Sequence, residues 1–359
     1  MAQCRAQAML FLLPELPSPR VDALLAQARR EGLIAHAARA QGGRWRLSLL
    51  GERSACAAFA RTLAAEPLPC AEEDEFLPLA SRALDPSDRA VDFDGVSIGD
   101  GAFAVVAGPC AIEGEEQLLA AARAVREAGA AALRGGAFKP RTSPYSFPGL
   151  GRAGLELLAR ARAATGLPTV TEVVDPADVD AVAQHASVLQ VGARNMQNYR
   201  LLEAVGRAAR PVLLKRGLGA RLDELLHAAE RVLAAGNPNV LLCERGVRSF
   251  ETATRCTLDL GGVAWLKRRS RLPVLVDPSH AAGDRALVPP LALAAAACGA
   301  DGLLVEVHPA PERARCDGEQ SLACEDFARL MERLRAVLAA LGRTLASAPP
   351  LPAAARSRV

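Results

Sequence analysis

Hydrophobic and polar residues alternate along most of the chain in two different patterns. From residue 103 onward, short apolar runs are separated by stretches with helical spacing, for example residues 115–128, 221–235 and 321–341. The apolar runs are FAVVAG (103–108), AALRGG (131–136), PTVTEV (168–173), VLQVG (188–192), VLLK (212–215), VLLCE (240–244), PVLVD (273–277) and GLLVEV (302–307). Strands that are apolar throughout are typical of a parallel sheet covered on both faces. Eight β/α units in roughly 240 residues predict an α/β protein with a (β/α)8 TIM barrel. A doubly wound sheet is the weaker alternative, because no Gly-rich dinucleotide fingerprint opens the first βα turn.

The first seventy residues or so follow a different pattern. Apolar runs and helical stretches succeed one another in the order βαββαβ, which predicts a ferredoxin-like module. The predicted strands and helices cover residues 9–13, 20–31, 33–38, 44–50, 54–65 and 67–71. Within the third strand, Trp45, Leu47 and Leu49 alternate with polar residues, as in a strand with one buried face.

These patterns divide the chain into four parts. Residues 1–72 are the ferredoxin-like domain, and 73–102 form a linker with a hairpin. The hairpin, VDFDGVSIGD (91–100), has a DG turn between alternating apolar residues and is expected to cap the bottom of the barrel. Residues 103–342 form the catalytic barrel, and the Ala-, Pro- and Ser-rich tail 343–359 is expected to be disordered.

Composition and charge exclude several classes of protein. Half of the residues are hydrophobic and the net charge is only +3, so nucleic acid is not an expected partner. The apolar run at 8–13 is too short for a membrane span and lacks a cleavage site, so no membrane partner is expected. Nine cysteines without CxxC pairs indicate reduced thiols and a cytoplasmic location.

Cationic side chains accumulate where the barrel strands end. The carboxyl ends of the strands in a (β/α)8 barrel carry the chemistry. The cations expected there are Arg134, Lys139, Arg141, Arg194, Lys215 and Arg245. Unpaired cations repel one another, and arginine binds carboxylate or phosphate through two hydrogen bonds. The group therefore predicts small substrates with several negative charges; the alternative is solvated surface arginines in an Arg-rich chain.

A second group at the strand ends could bind a metal. Its members are Cys110, His280, Glu306 and Asp317. A thiolate, an imidazole and two carboxylates suit a divalent first-row metal such as Mn²⁺, Fe²⁺, Co²⁺ or Zn²⁺. Two alternatives stay open from the residues alone: Cys110 could be a buried structural thiol, and His308 competes with His280 as the histidine ligand.

The motifs around these residues resemble a known family. GPCAIEG, RGGAFKPRTSPYSF, QVGARNMQNY, LLKRG, LLCERGVRSFETATR, VDPSHAAGDR and GADGLLVEVHPAPERARCDGEQSL occur in order over about residues 91–341. Together they closely resemble 3-deoxy-D-arabino-heptulosonate 7-phosphate (DAHP) synthases of type I beta. The related synthases of 3-deoxy-manno-octulosonate 8-phosphate carry a KANRSS-like loop where this chain has KPRTS (139–143).

The resemblance implies the first step of the shikimate pathway, in which phosphoenolpyruvate, erythrose 4-phosphate and water give DAHP and phosphate. It implies metal ligation by Cys110, His280, Glu306 and Asp317, and catalytic roles for Lys139, Glu172, Lys215 and His280. Phosphoenolpyruvate would be bound by Arg134, Lys139, Arg194, Lys215 and Arg245. Erythrose 4-phosphate would be bound by Lys139, Pro140, Arg141, Thr142 and Asp277. The alternatives are an octulosonate 8-phosphate synthase and a non-catalytic amino acid sensor.

The resemblance also has implications for regulation and oligomeric state, and two cysteines depart from the family pattern. The amino-terminal module resembles a regulatory domain fused to some family members, which implies inhibition by tyrosine or phenylalanine; a purely structural or oligomerising domain is the alternative. A homotetramer is expected from the same likeness. Cys256 and Cys316 stand where more polar residues are expected, and Cys316 adjoins Asp317. We therefore hypothesise that this part of the site is sensitive to oxidation.

Overall fold

The structure is a computed structural model, which describes residues 7–39, 43–63, 65–68, 77–82 and 85–350. Contacts divide the chain into two compact units. The first comprises the chain up to Ser87 together with Arg269–Arg271, and the second comprises Asp88–Arg268 and the chain from Leu272 onward. Among the described residues, no helix has the length and apolar character needed to cross a membrane.

The first unit contains a four-stranded antiparallel sheet with two helices. Its elements are β1 (Gln7–Leu13), α1 (Ser18–Arg30), β2 (Ile34–Arg39), β3 (Trp45–Gly51), α2 (Arg53–Arg61) and β4 (Glu66–Leu68). The strands lie in the order β2-β3-β1-β4, with β1 in the middle beside β3 and β4. The predicted βαββαβ order is confirmed, although α2 ends at Arg61, short of the expected residue 65. The last expected strand begins at Glu66, and its predicted residues 69–71 lie outside the described residues.

The sheet and helices of this unit enclose their own apolar core. Leu47 and Leu49 of β3 are fully buried and pack with Phe11 of β1 and Phe59 of α2. Two side chains on one face of β3, two residues apart, therefore point toward the helices, as the alternation in the sequence predicts. Trp45 at the start of β3 is half-buried, and its indole Nε1 donates to the carbonyl oxygen of Leu16 at 2.9 Å.

The second unit contains a closed barrel of eight parallel strands, which confirms the predicted TIM barrel. The strands follow one another around the barrel in chain order, and the last pairs with the first. They are β7 (Ala104–Gly108), β8 (Ala132–Arg134), β9 (Thr169–Val173), β10 (Val188–Val191), β11 (Val212–Lys215), β12 (Val240–Glu244), β13 (Val274–Val276) and β14 (Gly302–Glu306). Every residue of these strands is buried, because the inner face fills the barrel and the outer face packs on helices.

Helices follow the barrel strands. They are α3 (Glu115–Ala128), α4 (Arg152–Thr165), α5 (Val179–His185), α6 (Tyr199–Arg207), α7 (Leu222–Ala234), α8 (Leu260–Arg269), α9 (Pro278–Ala282), α10 (Val288–Ala297) and α11 (Cys324–Ala340). Helix α11 begins three residues later than residue 321, where the periodicity starts. Leu322 instead pairs with Val307 in a β-bridge, and its amide donates to the carbonyl oxygen of Glu306.

A two-stranded hairpin of β5 (Val91–Phe93) and β6 (Val96–Ile98) packs at the amino-terminal end of the barrel strands. Asp94 and Gly95 in its turn both have positive φ, 45° and 86°, as a type I′ turn requires. The apolar side chains of both hairpin strands share one core with residues of the barrel strands, including Leu213 and Leu304.

The segment beyond residue 342 differs from the expected disorder in its described part. The amide of Phe103 donates to the carbonyl oxygen of Thr344, and the amide of Ala346 donates back to Phe103. Ala346 packs on the core at the bottom of the barrel. The tail is therefore held as an extra strand-like segment because it completes the hydrogen bonding of residue 103. Residues 351–359 lie outside the described residues.

Candidate active site

A cavity of about 300 Å³ opens at the carboxyl ends of the barrel strands. All six cations expected at the rim line it, and so do Glu172, His280 and Asp317. Pro140 and Thr142 of the KPRTS segment lie in the same wall. Side chains from Arg134 to Asp317, which are 183 residues apart in sequence, thus face one volume, which is large enough for two small anions and a metal ion.

Four potential metal ligands meet at one side of this cavity. One ligand atom each from Cys110, His280, Glu306 and Asp317 lies within 4.8 Å of all the others. The Cys110 Sγ lies 3.1 Å from Asp317 Oδ2, and His280 Nε2 lies 3.3 Å from Glu306 Oε1. These are the four residues that the sequence grouped as a metal site, drawn from four separate loops and strand ends.

His280 is oriented by the residue that begins its short helix. Asp277 is the N-cap of α9, and its Oδ1 accepts from the His280 amide at 3.0 Å. Its Oδ2 lies 2.7 Å from His280 Nδ1. The sequence DPSH therefore places a capping carboxylate, a proline in the first turn and the imidazole in one rigid unit. With Nδ1 bonded to Asp277, the Nε2 atom faces Glu306 and Asp317.

The charge states of these groups are set by burial and by one another. Burial lowers the pKa of His280, so the imidazole is neutral near pH 7. Burial would raise the pKa of Asp317, but His280, the Cys110 hydrogen bond and Arg255 outweigh it and lower that pKa. Glu306 likewise has a lowered pKa, because His280 and Arg134 outweigh its burial. Both carboxyl groups are therefore ionised at neutral pH.

The donor set fits a divalent metal ion. A neutral imidazole presents a lone pair at Nε2, and here that atom faces two ionised carboxylates at 3.3 and 4.0 Å. Lone pairs and negative charges this close repel unless a cation lies between them. The combination of sulfur, nitrogen and carboxylate oxygen favours a first-row transition metal over Mg²⁺ or Ca²⁺.

The RGGAFKPRTS loop folds tightly over the metal ligands. A Cβ at Gly136 would lie 2.7 Å from the Cys110 carbonyl oxygen, so only glycine permits this approach. Lys139 Nζ consequently lies 3.1 Å from Cys110 Sγ. Burial would lower the pKa of Lys139, but its electrostatic interactions with Cys110 and Glu172 outweigh burial and raise the pKa. Lys139 is therefore charged and directed into the cavity.

The cavity cations fall into two classes, which the sequence did not separate. Arg134 Nη1 pairs with Glu306 at 2.9 Å, and Lys215 Nζ pairs with Asp277 at 2.5 Å. The expectation of unpaired cations is therefore wrong for these two. Within the described part of the chain, Arg141, Arg194 and Arg245 contact no carboxylate; Arg141 and Arg245 contact thiols, and Arg194 contacts Thr142. Together with Lys139, whose Nζ contacts the Cys110 sulfur, these three supply the positive charge that no carboxylate of the described residues pairs.

Asp277 and His308 take positions that the sequence alone did not indicate. Asp277 is fully buried and is not part of the cavity wall, so it reaches the cavity only through Lys215 and His280. Contact of Asp277 with the sugar phosphate stays a prediction. Glu244, the last residue of β12, pairs with Arg216 at 2.8 Å and does not line the cavity. His308 is outside the metal cluster, since its Nδ1 accepts from the Ala310 amide at 3.0 Å.

Sequence reasoning missed two residues beside the metal cluster, Arg255 and Gln320. Arg255 lines the cavity and pairs with Asp317 at 3.2 Å. Gln320 is buried and donates to Glu306 at 2.6 Å. Both lie within motifs that carry the family resemblance, ETATR and DGEQS, but neither follows a strand directly, so strand-end position gave no signal for them.

Cys316, singled out as a departure from the family pattern, lies beside a metal ligand. Its Sγ is 3.5 Å from the Sγ of Cys110 and 2.7 Å from Arg141 Nη1. Oxidation sensitivity stays a prediction: peroxide should inactivate the metal-free protein by joining these two thiols, and Cys316→Ser should protect it.

Comparison with known proteins places this arrangement in a family. The family model described as the DAHP synthetase I family matches residues 80–340. A curated phospho-2-dehydro-3-deoxyheptonate aldolase of Thermotoga maritima is 50% identical over 264 residues, which is 74% of this chain and 78% of the relative. A 2-dehydro-3-deoxyphosphooctonate aldolase of Magnetococcus marinus is 34% identical over 268 residues, covering 69% of this chain and 92% of the relative.

Solved structures give the same picture. A crystal structure of the T. maritima phospho-2-dehydro-3-deoxyheptonate aldolase (DAHP synthase) superposes with a TM-score of 0.75 at 41% identity, covering 95% of this chain and all of that one. A truncated form of the T. maritima enzyme gives a TM-score of 0.71 at 45% identity, covering 75% of this chain and 99% of that one.

Proposed function

This chain belongs to the DAHP synthetase I family, and from that premise we propose how its rim cavity carries out the reaction. The chain is a transferase that condenses phosphoenolpyruvate with erythrose 4-phosphate and water to give DAHP and phosphate. The reaction opens the shikimate pathway of aromatic amino acid biosynthesis. The residue roles below are our assignment, argued from charge, burial and contacts.

In this proposal, phosphoenolpyruvate binds to the two deeper cations of the cavity, each of which is paired with a carboxylate. Arg134 and Lys215 are 3% and 4% exposed and are held in place by Glu306 and Asp277. A cation that is already oriented loses little entropy when an anion binds. Arg245 and Arg194 supply the remaining positive charge for the phosphate and carboxylate of this substrate, and Lys139 lies beside them in the wall.

Erythrose 4-phosphate binds at the KPRTS segment (139–143), in the outer part of the cavity. Arg141 has no carboxylate partner among the described residues, and Thr142 hydrogen-bonds Arg194, which links the two halves of the cavity. Pro140 restricts the backbone between Lys139 and Arg141, so both side chains enter the cavity at a fixed separation. The length of sugar phosphate that fits is set by the distance from this segment to the metal cluster.

Cys110, His280, Glu306 and Asp317 hold the divalent metal ion in the proposal. When bound, the metal supplies Lewis-acid polarisation of the substrate aldehyde. The chain's own residues position the two anions, which would otherwise repel each other, so that C3 of phosphoenolpyruvate faces the aldehyde carbon. The identity of the metal is left to experiment among Mn²⁺, Fe²⁺, Co²⁺ and Zn²⁺.

Lys139 stabilises the charge that develops during the reaction, and Glu172 accepts a proton. Lys139 is charged, so it stabilises the negative charge that develops on the aldehyde oxygen as the carbon–carbon bond forms. Glu172 is buried in the cavity wall, and a Cβ at Gly192 would lie 1.9 Å from its Oε1, so glycine makes room for it. Its carboxylate orients the water that adds to C2 and accepts its proton before phosphate leaves.

The amino-terminal unit is proposed to regulate the barrel. Its βαββαβ fold and its own core support a separately folded domain that binds tyrosine or phenylalanine. A homotetramer is part of the same proposal. Inhibition assays with both amino acids, together with measurement of the mass in solution by light scattering, test these two points directly.

One observation carries the catalytic proposal: the metal cluster and the cations for two anions face a single cavity. Steady-state turnover of the chelated protein with each metal, using erythrose 4-phosphate or arabinose 5-phosphate as the second substrate, tests it. We expect restoration by at least one metal and preference for erythrose 4-phosphate. Preference for arabinose 5-phosphate would identify an octulosonate 8-phosphate synthase, and tight ligand binding without turnover would identify a sensor.

A further inference from the structure

We propose that Arg255 and Gln320 form a hydrogen-bonded bridge that positions the two carboxylate ligands and thereby sets the affinity of the site for its metal. The inference rests on the metal site proposed above and assigns positioning roles to two residues outside the ligand set. It concerns the protein before any substrate binds.

The bridge joins the two carboxylates without a gap. Arg255 Nη1 lies 3.2 Å from Asp317 Oδ1 and 2.7 Å from Gln320 Oε1. Gln320 Nε2 then donates to Glu306 Oε2 at 2.6 Å. The side-chain amide of Gln320 is thus satisfied at both ends, and its orientation is fixed because only the oxygen can accept from Arg255 and only the nitrogen can donate to Glu306.

The bridge uses the carboxylate oxygens that point away from the ligand cluster. Asp317 Oδ2 faces the Cys110 sulfur at 3.1 Å, whereas Arg255 contacts Oδ1. Glu306 Oε1 faces His280 Nε2 at 3.3 Å, whereas Gln320 contacts Oε2. Asp317 Oδ1 and Glu306 Oε2 are therefore held by the bridge, whereas Asp317 Oδ2 and Glu306 Oε1 face the other potential ligands. Glu306 Oε1 also accepts from Arg134 Nη1 at 2.9 Å.

The site needs such a device because its two carboxylates sit on different structures. Glu306 ends strand β14 and is fixed by the barrel. Asp317 lies in the following loop with φ 55°, a left-handed conformation that costs energy for a residue with a side chain. Gln320 belongs to that loop and is 2% exposed. The bridge therefore ties the loop ligand to the strand ligand.

Arg255 is the accessible end of the bridge. Its side chain is 39% exposed and lines both the substrate cavity and a neighbouring cleft. That cleft is also lined by Asp317, Gly318 and Gln320. Substitution of Arg255 thus removes a surface side chain, which leaves the barrel core untouched and makes it the safer probe of the bridge.

Mn²⁺ titration of the chelated full-length protein, without substrates, tests the inference. Electron paramagnetic resonance of free Mn²⁺ gives the dissociation constant. Removing residues that orient metal ligands typically weakens affinity 10- to 100-fold, so we expect roughly this loss for Arg255→Ala and Gln320→Ala. Arg255→Lys keeps a charge and one donor and should recover part of it.

Arg285→Ala is the matched control. Arg285 holds the same loop through the carbonyl oxygens of Gly318 and Glu319, at 3.0 and 3.3 Å, but touches no ligand carboxylate. Equal weakening in this control would show that loop order, and not the bridge, sets affinity, and would overturn the inference. So would unchanged Mn²⁺ affinity in Arg255→Ala with a raised KM, which would make Arg255 a substrate-binding residue. Wild-type protein that binds none of the four metals would instead refute the metal site itself.

Discussion

The two ends of the barrel are built from the same strands but have opposite chemistry. At the bottom, Leu213 and Leu304 pack with the β5–β6 hairpin in an apolar core. Two positions further along the same strands, Lys215 pairs with Asp277 and Glu306 pairs with Arg134 at the rim. Side chains two residues apart on a strand share a face. The apolar layer of side chains at the bottom of the barrel interior is therefore followed directly by a layer of charged side chains at the rim.

This difference repeats around the barrel. The bottom core also contains Ala132, Val170 and Val188, and the residue two positions later in each strand, Arg134, Glu172 or Gln190, lines the cavity. Burial of apolar area in the lower layer stabilises the fold, whereas the upper layer buries charges, which costs free energy unless they are paired. Stability and chemistry should therefore respond separately to substitutions at the two ends.

The largest effect is expected at the rim. His280→Ala removes a metal ligand and the partner of Asp277, and should lower kcat by about three orders of magnitude, since the lost Lewis-acid assistance amounts to several kcal/mol. Turnover at saturating metal, with a thermal melt, measures it. His185→Ala on α5 serves as the control. Turnover that stayed within about tenfold of wild type would remove His280 from the ligand set.

The second-largest effect is expected in the apolar core at the bottom of the barrel. Phe93 of β5 is 5% exposed within the lower core, so Phe93→Ala should reduce the free energy of unfolding by about 3–5 kcal/mol. Its kcat and KM should not change at a temperature where the variant is folded. Urea denaturation measures the loss, and Asp92→Ala, at an exposed position of the same strand, is the control. A large fall in kcat would contradict the separation of the two ends.

The same layering explains what the sequence could predict. Three apolar runs place their last polar residue at the rim, so Arg134, Lys215 and Glu306 could be located from strand position alone. Arg255 and Gln320 could not, because they reach the site from loops whose path depends on tertiary contacts. The pairing of Asp277 with Lys215 and His280 was missed for a related reason: strand position gives the layer of a residue but not which neighbour its side chain contacts.

A smaller effect separates the functions of the rim cations. Arg141→Ala should raise KM for erythrose 4-phosphate roughly 10- to 100-fold, which corresponds to a lost charge-assisted contact of about 1.5–3 kcal/mol. KM for phosphoenolpyruvate should change much less, because Arg134 and Lys215 are held by Glu306 and Asp277 and not by the KPRTS segment. Initial rates with each substrate varied in turn measure both constants. Arg123→Ala, on the exposed side of α3, is the control, and an equal rise in both KM values would refute the division of the cavity.

The smallest effect concerns the turn of the bottom hairpin. Gly95 has φ 86°, so Gly95→Ala forces a side chain into the left-handed region, and its Cβ would lie 3.3 Å from Pro349 Cγ. We expect a loss of about 1–2 kcal/mol in the free energy of unfolding, measured in urea, with both KM values unchanged. Ser97→Ala in β6 should stay within about 0.5 kcal/mol of wild type. If Gly95→Ala altered KM, strain at the hairpin would reach the rim through the shared strands, and the two ends could not be treated as independent.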